Sequence, residues 1–301
     1  MSGKGKVGVI GLGLMGSALS GNLIQSGYEV SGFDIEPARV KELEGRGGRP
    51  ASSPAGAARG AQFVITSLLY SSTVREVCLG KDGVAEAAEP GLIVIDASTS
   101  SPDDSAETAR LLREMGIGFL DASLSGASND AWARRLVAVV GGEKADFERA
   151  RPVIDCFSRS VYHLGANGAG ALTKLIINHV LGLNRLALAE GLVFGMKAGV
   201  EMETLLAVLK DSAAYSKAMD QRGRIMIEAD YGNPVSRVRQ HHKDVRLILA
   251  QGQKLGAPMP LEQAHQQVLQ AAEVNGLADA DTGAIIEVLR RLAGIPSRWG
   301  G

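Results

Sequence analysis

Between residues 7 and 34 the chain sets out a strand, a glycine-rich turn, a helix and a second strand ending in an acid. Val7-Gly8-Val9-Ile10 has the character of a short buried strand. Gly11-Leu12-Gly13-Leu14-Met15-Gly16 follows without a gap. The helix pattern after it runs to Gln25-Ser26, with Gly27 as its stop. Glu29-Val30-Ser31-Gly32-Phe33-Asp34 completes the unit. A strand, a crossover helix and a strand in this order imply a parallel pair, which few folds other than layered α/β sheets contain.

The three glycines each have a job if a dinucleotide sits on this turn. Gly11 makes the tight turn, Gly13 lets backbone reach the pyrophosphate, and Gly16 lets the helix pack on the strand. Leu12, Leu14 and Met15 belong to the same turn and are assigned to the cofactor with it. A pyrophosphate is favoured at a helix N-terminus by unpaired N–H groups and the helix dipole. Asp34 stands where an acid accepts hydrogen bonds from the ribose hydroxyls. With Glu36 beside it, it would repel a 2′-phosphate, so NAD is the preferred cofactor. Arg39 keeps NADP possible.

The alternation continues along the first half. Gln62–Ser67, Leu92–Asp96, Gly118–Ala122, Leu136–Val140 and Ser160–Leu164 read as strands, with helices between them. Loops at the carboxyl ends of such strands are where ligands bind. These are Leu68-Leu69-Tyr70, Ala97 to Pro102 and Ser123 to Ala127. Leu68, Leu69 and Thr99 are therefore assigned to the cofactor, and the Ser98 and Thr99 hydroxyls are expected to face it. From Gly168 onward every pattern is helical. A long apolar helix from Lys174 to Lys197 has apolar rows on more than one face, so it wants burial by other helices or a second subunit. Further helices are expected at 203–210, 216–227, 237–255, 260–275 and 281–292. The expected fold is an N-terminal doubly wound sheet of Rossmann type in residues 1–166, followed by an all-α domain in 167–301.

The junction Gly165-Ala166-Asn167-Gly168-Ala169-Gly170 lets backbone approach something closely. Lys174 and Asn178, four residues apart, share one face of the helix after it. On spacing alone Lys174 is either a snorkelling surface residue or an amine held beside a polar partner.

Composition narrows the function classes. A net charge of −1 and 22% charged residues give no bulk attraction to nucleic acid or an anionic membrane. No apolar run reaches spanning length and no signal-peptide core precedes the first strand, so a cytoplasmic protein is expected. The two cysteines, Cys78 and Cys156, make no metal or redox pair by spacing. His241-His242-x-Asp244 has metal-binding residue types, but neighbours on a helix diverge, and no metal is assigned.

Taken together, these motifs resemble the β-hydroxyacid dehydrogenases. The likeness rests on Gly11 to Gly16, on Asp96-Ala97-Ser98-Thr99-Ser100-Ser101-Pro102 and on Asp121-Ala122-Ser123-Leu124-Ser125-Gly126-Ala127. Gly168-Ala169-Gly170 with Lys174 and Asn178, and Lys243-Asp244, extend it over nearly the whole chain. The resemblance implies an NAD(P)-dependent enzyme of small 3-hydroxy acids or their semialdehydes. It implies Lys174 as general acid or base and Asn178 beside it. Ser125, Gly126 and Ala127 would bind the substrate carboxylate, and Lys243 would lie at the nicotinamide and substrate end. Family members are homodimers or homotetramers, and the same is expected here. Imine reduction on the same scaffold is disfavoured by the presence of Lys174, as is a non-catalytic cofactor-binding module.

Two stretches depart from the family pattern. Asn129 to Arg135 replaces small, glycine-bearing sequence, and Ser236, Arg239, Gln240 and His242 replace an apolar run before Lys243. The expectation is a more polar and cationic pocket, for a substrate with an extra hydroxyl or a second anionic group.

Overall fold

The computed structural model describes residues 4–299. The chain clusters into two compact units, one ending at Lys174 and the other starting at Leu175. The pattern changes from mixed to helical near residue 166, but the first turns of the long helix remain bonded to the sheet.

The first unit alternates strands and helices: β1 (Lys6–Ile10), α1 (Leu14–Gln25), β2 (Glu29–Phe33), α2 (Pro37–Gly45), β3 (Arg49–Pro50), α3 (Pro54–Ala58), β4 (Phe63–Thr66), α4 (Ser71–Leu79), α5 (Val84–Ala87), β5 (Ile93–Asp96), α6 (Pro102–Glu114), β6 (Gly118–Ser125), α7 (Ser128–Trp132), β7 (Leu136–Gly141), α8 (Lys144–Ile154) and β8 (Ser158–His163). One sheet takes all eight strands in the order β3-β2-β1-β4-β5-β6-β7-β8. The chain winds outward from β1 to β3, returns to β4 beside β1, and winds out the other way. That reversal is the switch point where open α/β sheets bind ligands. Every pairing is parallel except β6 with β7.

Period-two alternation sends side chains to two cores, one on each face of the sheet. Val7, Val9, Ile93 and Ile95 join Leu19 and Leu23 of α1 and Ile154 of α8. Ile10, Val64 and Val94 join Ala57 of α3, Val74 of α4 and Leu112 of α6. The loop expected from Ser123 begins only after Ser125. The antiparallel partner β7 holds Ser123, Leu124 and Ser125 in register with Val139, Ala138 and Val137. The two-residue β3 and the short α3 and α7 carry too little sequence period to be read in advance.

Helix α9 (Ala169–Lys197) leads the chain into the second unit. It is followed by α10 (Met202–Asp211), α11 (Lys217–Glu228), α12 (Val238–Leu255), α13 (Pro260–Ala272) and α14 (Ile286–Leu292). No named strand follows His163 among the described residues. Leu188, Leu192, Met226, Tyr231, Val245, Leu269 and Ile285 form the core of this unit. On α9, Ile176, Val180 and Phe194 stay exposed. No helix among the described residues is long and apolar enough to cross a membrane.

Candidate active site

The turn before α1 is shaped for close approach. A Cβ on Gly16 would overlap the Gly11 carbonyl oxygen, so helix and turn touch only because Gly16 lacks a side chain. A Cβ on Gly13 would meet nothing nearer than Arg39 Nη1 at 3.7 Å, so packing does not explain that glycine. Gly13 is the N-cap of α1, and no side chain caps the helix. Its first N–H groups are thus left for an anion, as a pyrophosphate requires. Asp34 is pinned to the same turn. Its Oδ2 accepts the Leu12 N–H at 2.7 Å and its Oδ1 accepts the Glu36 N–H at 2.9 Å. Arg39 Nη1 lies 3.4 Å from Oδ2, as a partly exposed counter-charge.

At the ends of β4 and β5 the organising group is Asp96. It accepts hydrogen bonds from the Thr66 hydroxyl (2.8 Å), the Ser98 N–H (3.0 Å) and the Ser100 hydroxyl (3.0 Å). Burial pushes its carboxyl up, and the donors from Ser98, Thr66 and Ser100 pull it back. The Ser98 hydroxyl, expected to face the cofactor, also accepts the Leu68 N–H at 2.9 Å and ties two ligand-side loops together. Leu69 is exposed and Thr99 half-buried on those loops.

At the end of β6, Ser125 and Gly126 lead into α7. The Ala127 N–H donates to Asp130 Oδ2 at 3.1 Å, so it is already committed. Arg135 pairs with the same Asp130 at 3.3 Å. The unusual stretch from Asn129 to Arg135 is therefore not simply a polar pocket wall: its large residues brace α1. Trp132 fills a notch over Gly21, where a Cβ would lie 2.5 Å from the ring. Asn22 Nδ2 donates to the Ala131 carbonyl at 2.6 Å, and Arg134 Nε donates to Asn22 at 3.4 Å.

The start of α9 is held by Asp121, on β6. Its Oδ1 accepts the Gly168 N–H at 2.9 Å and the Asn167 Nδ2 at 3.4 Å, and its Oδ2 accepts the Ala171 N–H at 2.9 Å. Burial pushes this carboxyl up, and the Ala171 and Gly168 amides oppose the shift. What the glycines here approach is protein. A Cβ on Gly170 would overlap the Asp121 carbonyl oxygen, and one on Gly168 would lie 2.9 Å from the Pro102 carbonyl oxygen. This capping starts the helix at Ala169, before the expected Lys174, and leaves Lys174 half-buried about one turn in.

In the second unit Asn178 is 7% exposed, and its Nδ2 donates to Asp244 Oδ2 at 2.9 Å. Lys243 Nζ lies 2.9 Å from Asp244 Oδ1. A carboxylate only accepts, so it fixes which end of the Asn178 amide faces it and leaves Oδ1 for another donor. The cationic run before Lys243 is largely neutralised: Arg237 and Arg239 both pair with Asp279, and His242 lies 3.0 Å from Glu273. The residues His179 and His265, left without a role by the sequence, meet at the buried Glu262. His179 Nδ1 is 2.7 Å and His265 Nδ1 3.6 Å from its oxygens, and the His241 ring lies 5.1 Å from that of His265. Among the described residues no three His, Cys, Asp or Glu side chains are arranged to hold a metal.

Residues 6–165 match the NAD-binding domain of 6-phosphogluconate dehydrogenase, and residues 168–289 match the NAD-binding model of NADP-dependent 3-hydroxyisobutyrate dehydrogenase. The chain is 32% identical to 2-(hydroxymethyl)glutarate dehydrogenase of Eubacterium barkeri, over 96% of each protein. It belongs to the β-hydroxyacid dehydrogenase family.

Solved structures agree. A 3-hydroxyisobutyrate dehydrogenase from Mycobacterium tuberculosis, determined with L-serine, superposes with a TM-score of 0.86 at 31% identity, covering 95% of this chain and 99% of that one. One from Salmonella typhimurium gives 0.88 at 28%, covering 95% and 100%. The protein is an NAD(P)-dependent oxidoreductase of hydroxy acids or their semialdehydes. Three acids that sequence reasoning left without a role, Asp96, Asp121 and Asp244, prove to hold the hydroxyacid dehydrogenase motifs in place. Each stands inside a recognised motif, and that was the signal available.

Proposed function

We propose that this β-hydroxyacid dehydrogenase oxidises a small 3-hydroxy acid, or reduces the matching semialdehyde, with Lys174 exchanging the proton at the substrate oxygen. The observation that carries the reading is the pair of fixed polar groups on α9. Lys174 stands three residues beyond the amide that Asp121 holds. Asn178 stands one turn further on, oriented by Asp244. A dinucleotide, when bound, supplies the hydride acceptor or donor. The turn from Gly11 to Gly16, with Leu12, Leu14 and Met15, holds its pyrophosphate, and Asp34 holds the adenosine ribose. Leu68, Leu69 and Thr99 line the same end of the sheet. NAD is favoured by Asp34, and Arg39 leaves NADP acceptable.

The substrate carboxylate binds the Ser125 hydroxyl and the Gly126 N–H. Ala127, whose N–H serves Asp130, contributes only shape. Lys174 takes the hydroxyl proton in oxidation and returns it in reduction, which positioned side chains do to the benefit of rate by about 10²–10⁴. Asn178 Oδ1 accepts from the Lys174 ammonium or from the substrate hydroxyl. Lys243, tied to Asp244, supplies positive charge at the substrate end.

A second acidic group on the substrate is supported by the likeness to 2-(hydroxymethyl)glutarate dehydrogenase. Arg237 and Arg239 do not serve it, because Asp279 already pairs with both. The exposed apolar residues of α9 support a homodimer or homotetramer.

The test is absorbance at 340 nm with NAD and then NADP. The panel is 2-(hydroxymethyl)glutarate, 3-hydroxyisobutyrate, L-threonate, D- and L-glycerate and 2,3-dihydroxypropanesulfonate. Native protein turns over one member, with a doubly acidic or polyhydroxy compound ahead of 3-hydroxyisobutyrate by kcat/KM. Lys174→Ala loses turnover and keeps dinucleotide binding. Equal turnover in Lys174→Ala would remove the lysine from the mechanism, and 3-hydroxyisobutyrate as the best substrate would remove the second polar group from the substrate.

A further inference from the structure

We infer that Asp121 is a positioning residue that sets both the place and the proton affinity of Lys174, by plugging the N-terminus of α9 with a negative charge. The inference rests on the role proposed for Lys174.

The geometry makes Asp121 an ionised cap. Its side chain is buried, and every polar group bonded to its carboxylate is a donor: the Gly168 N–H, the Ala171 N–H and the Asn167 Nδ2. Each of those donors meets a lone pair of the ionised group, and together they oppose the upward push of burial on the carboxyl. The carboxylate spans the start of the helix, reaching the amide just before it and one in its first turn. The frame around it is rigid. Cβ atoms on Gly141 and Gly170 would meet Asp121 itself, and Asn167 also donates to the Phe119 carbonyl at 2.8 Å. The helix has no slack at its first turn.

Two consequences reach Lys174. It follows Ala171 by three residues, so its Cα stands about 4.5 Å further along the axis, at 1.5 Å per residue. Its height is therefore fixed by the Asp121–Ala171 bond. The electrostatic consequence is equally direct. An uncapped helix N-terminus carries about half a positive charge, which disfavours an ammonium in the first turns. Asp121 cancels that charge and so favours the protonated lysine. The other acid facing from the sheet is Asp96, the register partner of Asp121 on β5, and it is occupied by Thr66, Ser98 and Ser100. From the end of β8, His163 Nε2 meets the Gly142 carbonyl at 2.7 Å, and β7 presents only Val139, Val140 and Gly141 there. From α6, Pro102 approaches through its backbone. Asp103 and Asp104 follow in the first turn of α6. Asp121 is the carboxylate bonded to the start of α9.

The contrast with α1 sharpens the point. That helix also follows a glycine turn, has no side-chain cap, and is left to attract an anion. In α9 the protein supplies the anion itself.

The experiment is the pH profile of kcat/KM for alcohol oxidation, with dinucleotide affinity measured beside it, for native protein, Asp121→Asn, Ala169→Asp and Lys174→Ala. Asp121→Asn keeps the shape and removes the charge. Its acid limb moves down by about half to one pH unit, the size of a helix-end charge effect. Its kcat falls about tenfold as the helix start relaxes, and its dinucleotide affinity stays within about twofold, because α1 is untouched. Ala169→Asp adds a carboxylate at the half-buried first position of the same helix and moves the limb upward, which keeps the inference testable if Asp121→Asn does not fold. A limb that stays in place in both variants overturns the inference. So does a loss of dinucleotide affinity as large as the loss of kcat, which would make Asp121 a general support of the fold. Retained turnover in Lys174→Ala is a different failure, because it removes the lysine reading itself.

Discussion

Two glycine-rich turns of this chain lead into helices, and they do opposite things. The turn from Gly11 to Gly16 opens α1 with no side-chain cap, and Gly13 has room above it. The turn from Gly165 to Gly170 opens α9 onto a buried carboxylate, and Gly170 has no room at all. In the first, glycine clears space for a ligand. In the second, it clears space for the protein's own strands. The two helices are also anchored differently. α1 is held along its side, where Trp132 fills the notch at Gly21, while α9 is held at its tip by Asp121.

The contrast can be broken most forcefully at Gly170. Gly170→Ala pushes a methyl into the β6 backbone, where nothing flexible can give way. A loss of about 3 kcal/mol is expected from overpacking, read as a lowered urea midpoint. A midpoint equal to native would show that α9 does not sit against β6 as tightly as described. Next comes the side anchor of α1. Trp132→Ala empties the Gly21 notch and loses the cover of Arg46, whose guanidinium lies 5.2 Å from the ring centroid. Because the ring is part-exposed, a cost of about 2 kcal/mol is expected, below that of a fully buried aromatic. KM for substrate should stay unchanged, and a large rise in KM would return this stretch to the pocket.

The smallest effect concerns Asp96. Burial raises its carboxyl above the ordinary value, so the folded state holds the proton more tightly than the unfolded state does. Its contribution to stability is present at low pH and is lost as pH rises through the window between those two values. Asp96→Asn removes that loss, so the variant's stability should fall less steeply over the same window. Asp121, raised for the same reason, keeps part of the slope in place. An unchanged slope, measured by urea midpoints at stepped pH, would mean Asp96 does not titrate differently on folding.

Much of the fold was legible because its signals are local. Strand runs, glycine stops and the helical second half are written in short windows, and their alternation implies the mainly parallel sheet. What stayed hidden depended on partners far away in sequence. Asp121 reads as one acid in a motif; its bonds to Gly168 and Ala171 span 47 and 50 residues. The same holds for Asn178 and Asp244, 66 residues apart. Nothing local shows that the Ser98 hydroxyl also serves the Leu68 N–H. Arg239 adds to the expected cationic character of the pocket because its partner Asp279 lies far from it in sequence. Motif residues are easy to find by type, and their roles depend on the three-dimensional partner.

The measurement to make first is dinucleotide affinity for Gly13→Ala, by calorimetric titration with NAD, beside the thermal midpoint of the ligand-free protein. A methyl at Gly13 meets only the end of Arg39, so the midpoint should match native. The dissociation constant should rise about tenfold or more, because the methyl occupies the path of the pyrophosphate to the backbone. Native affinity in the variant would contradict the assignment of this turn to the cofactor, and a fallen midpoint would show that Gly13 serves packing, as Gly170 does.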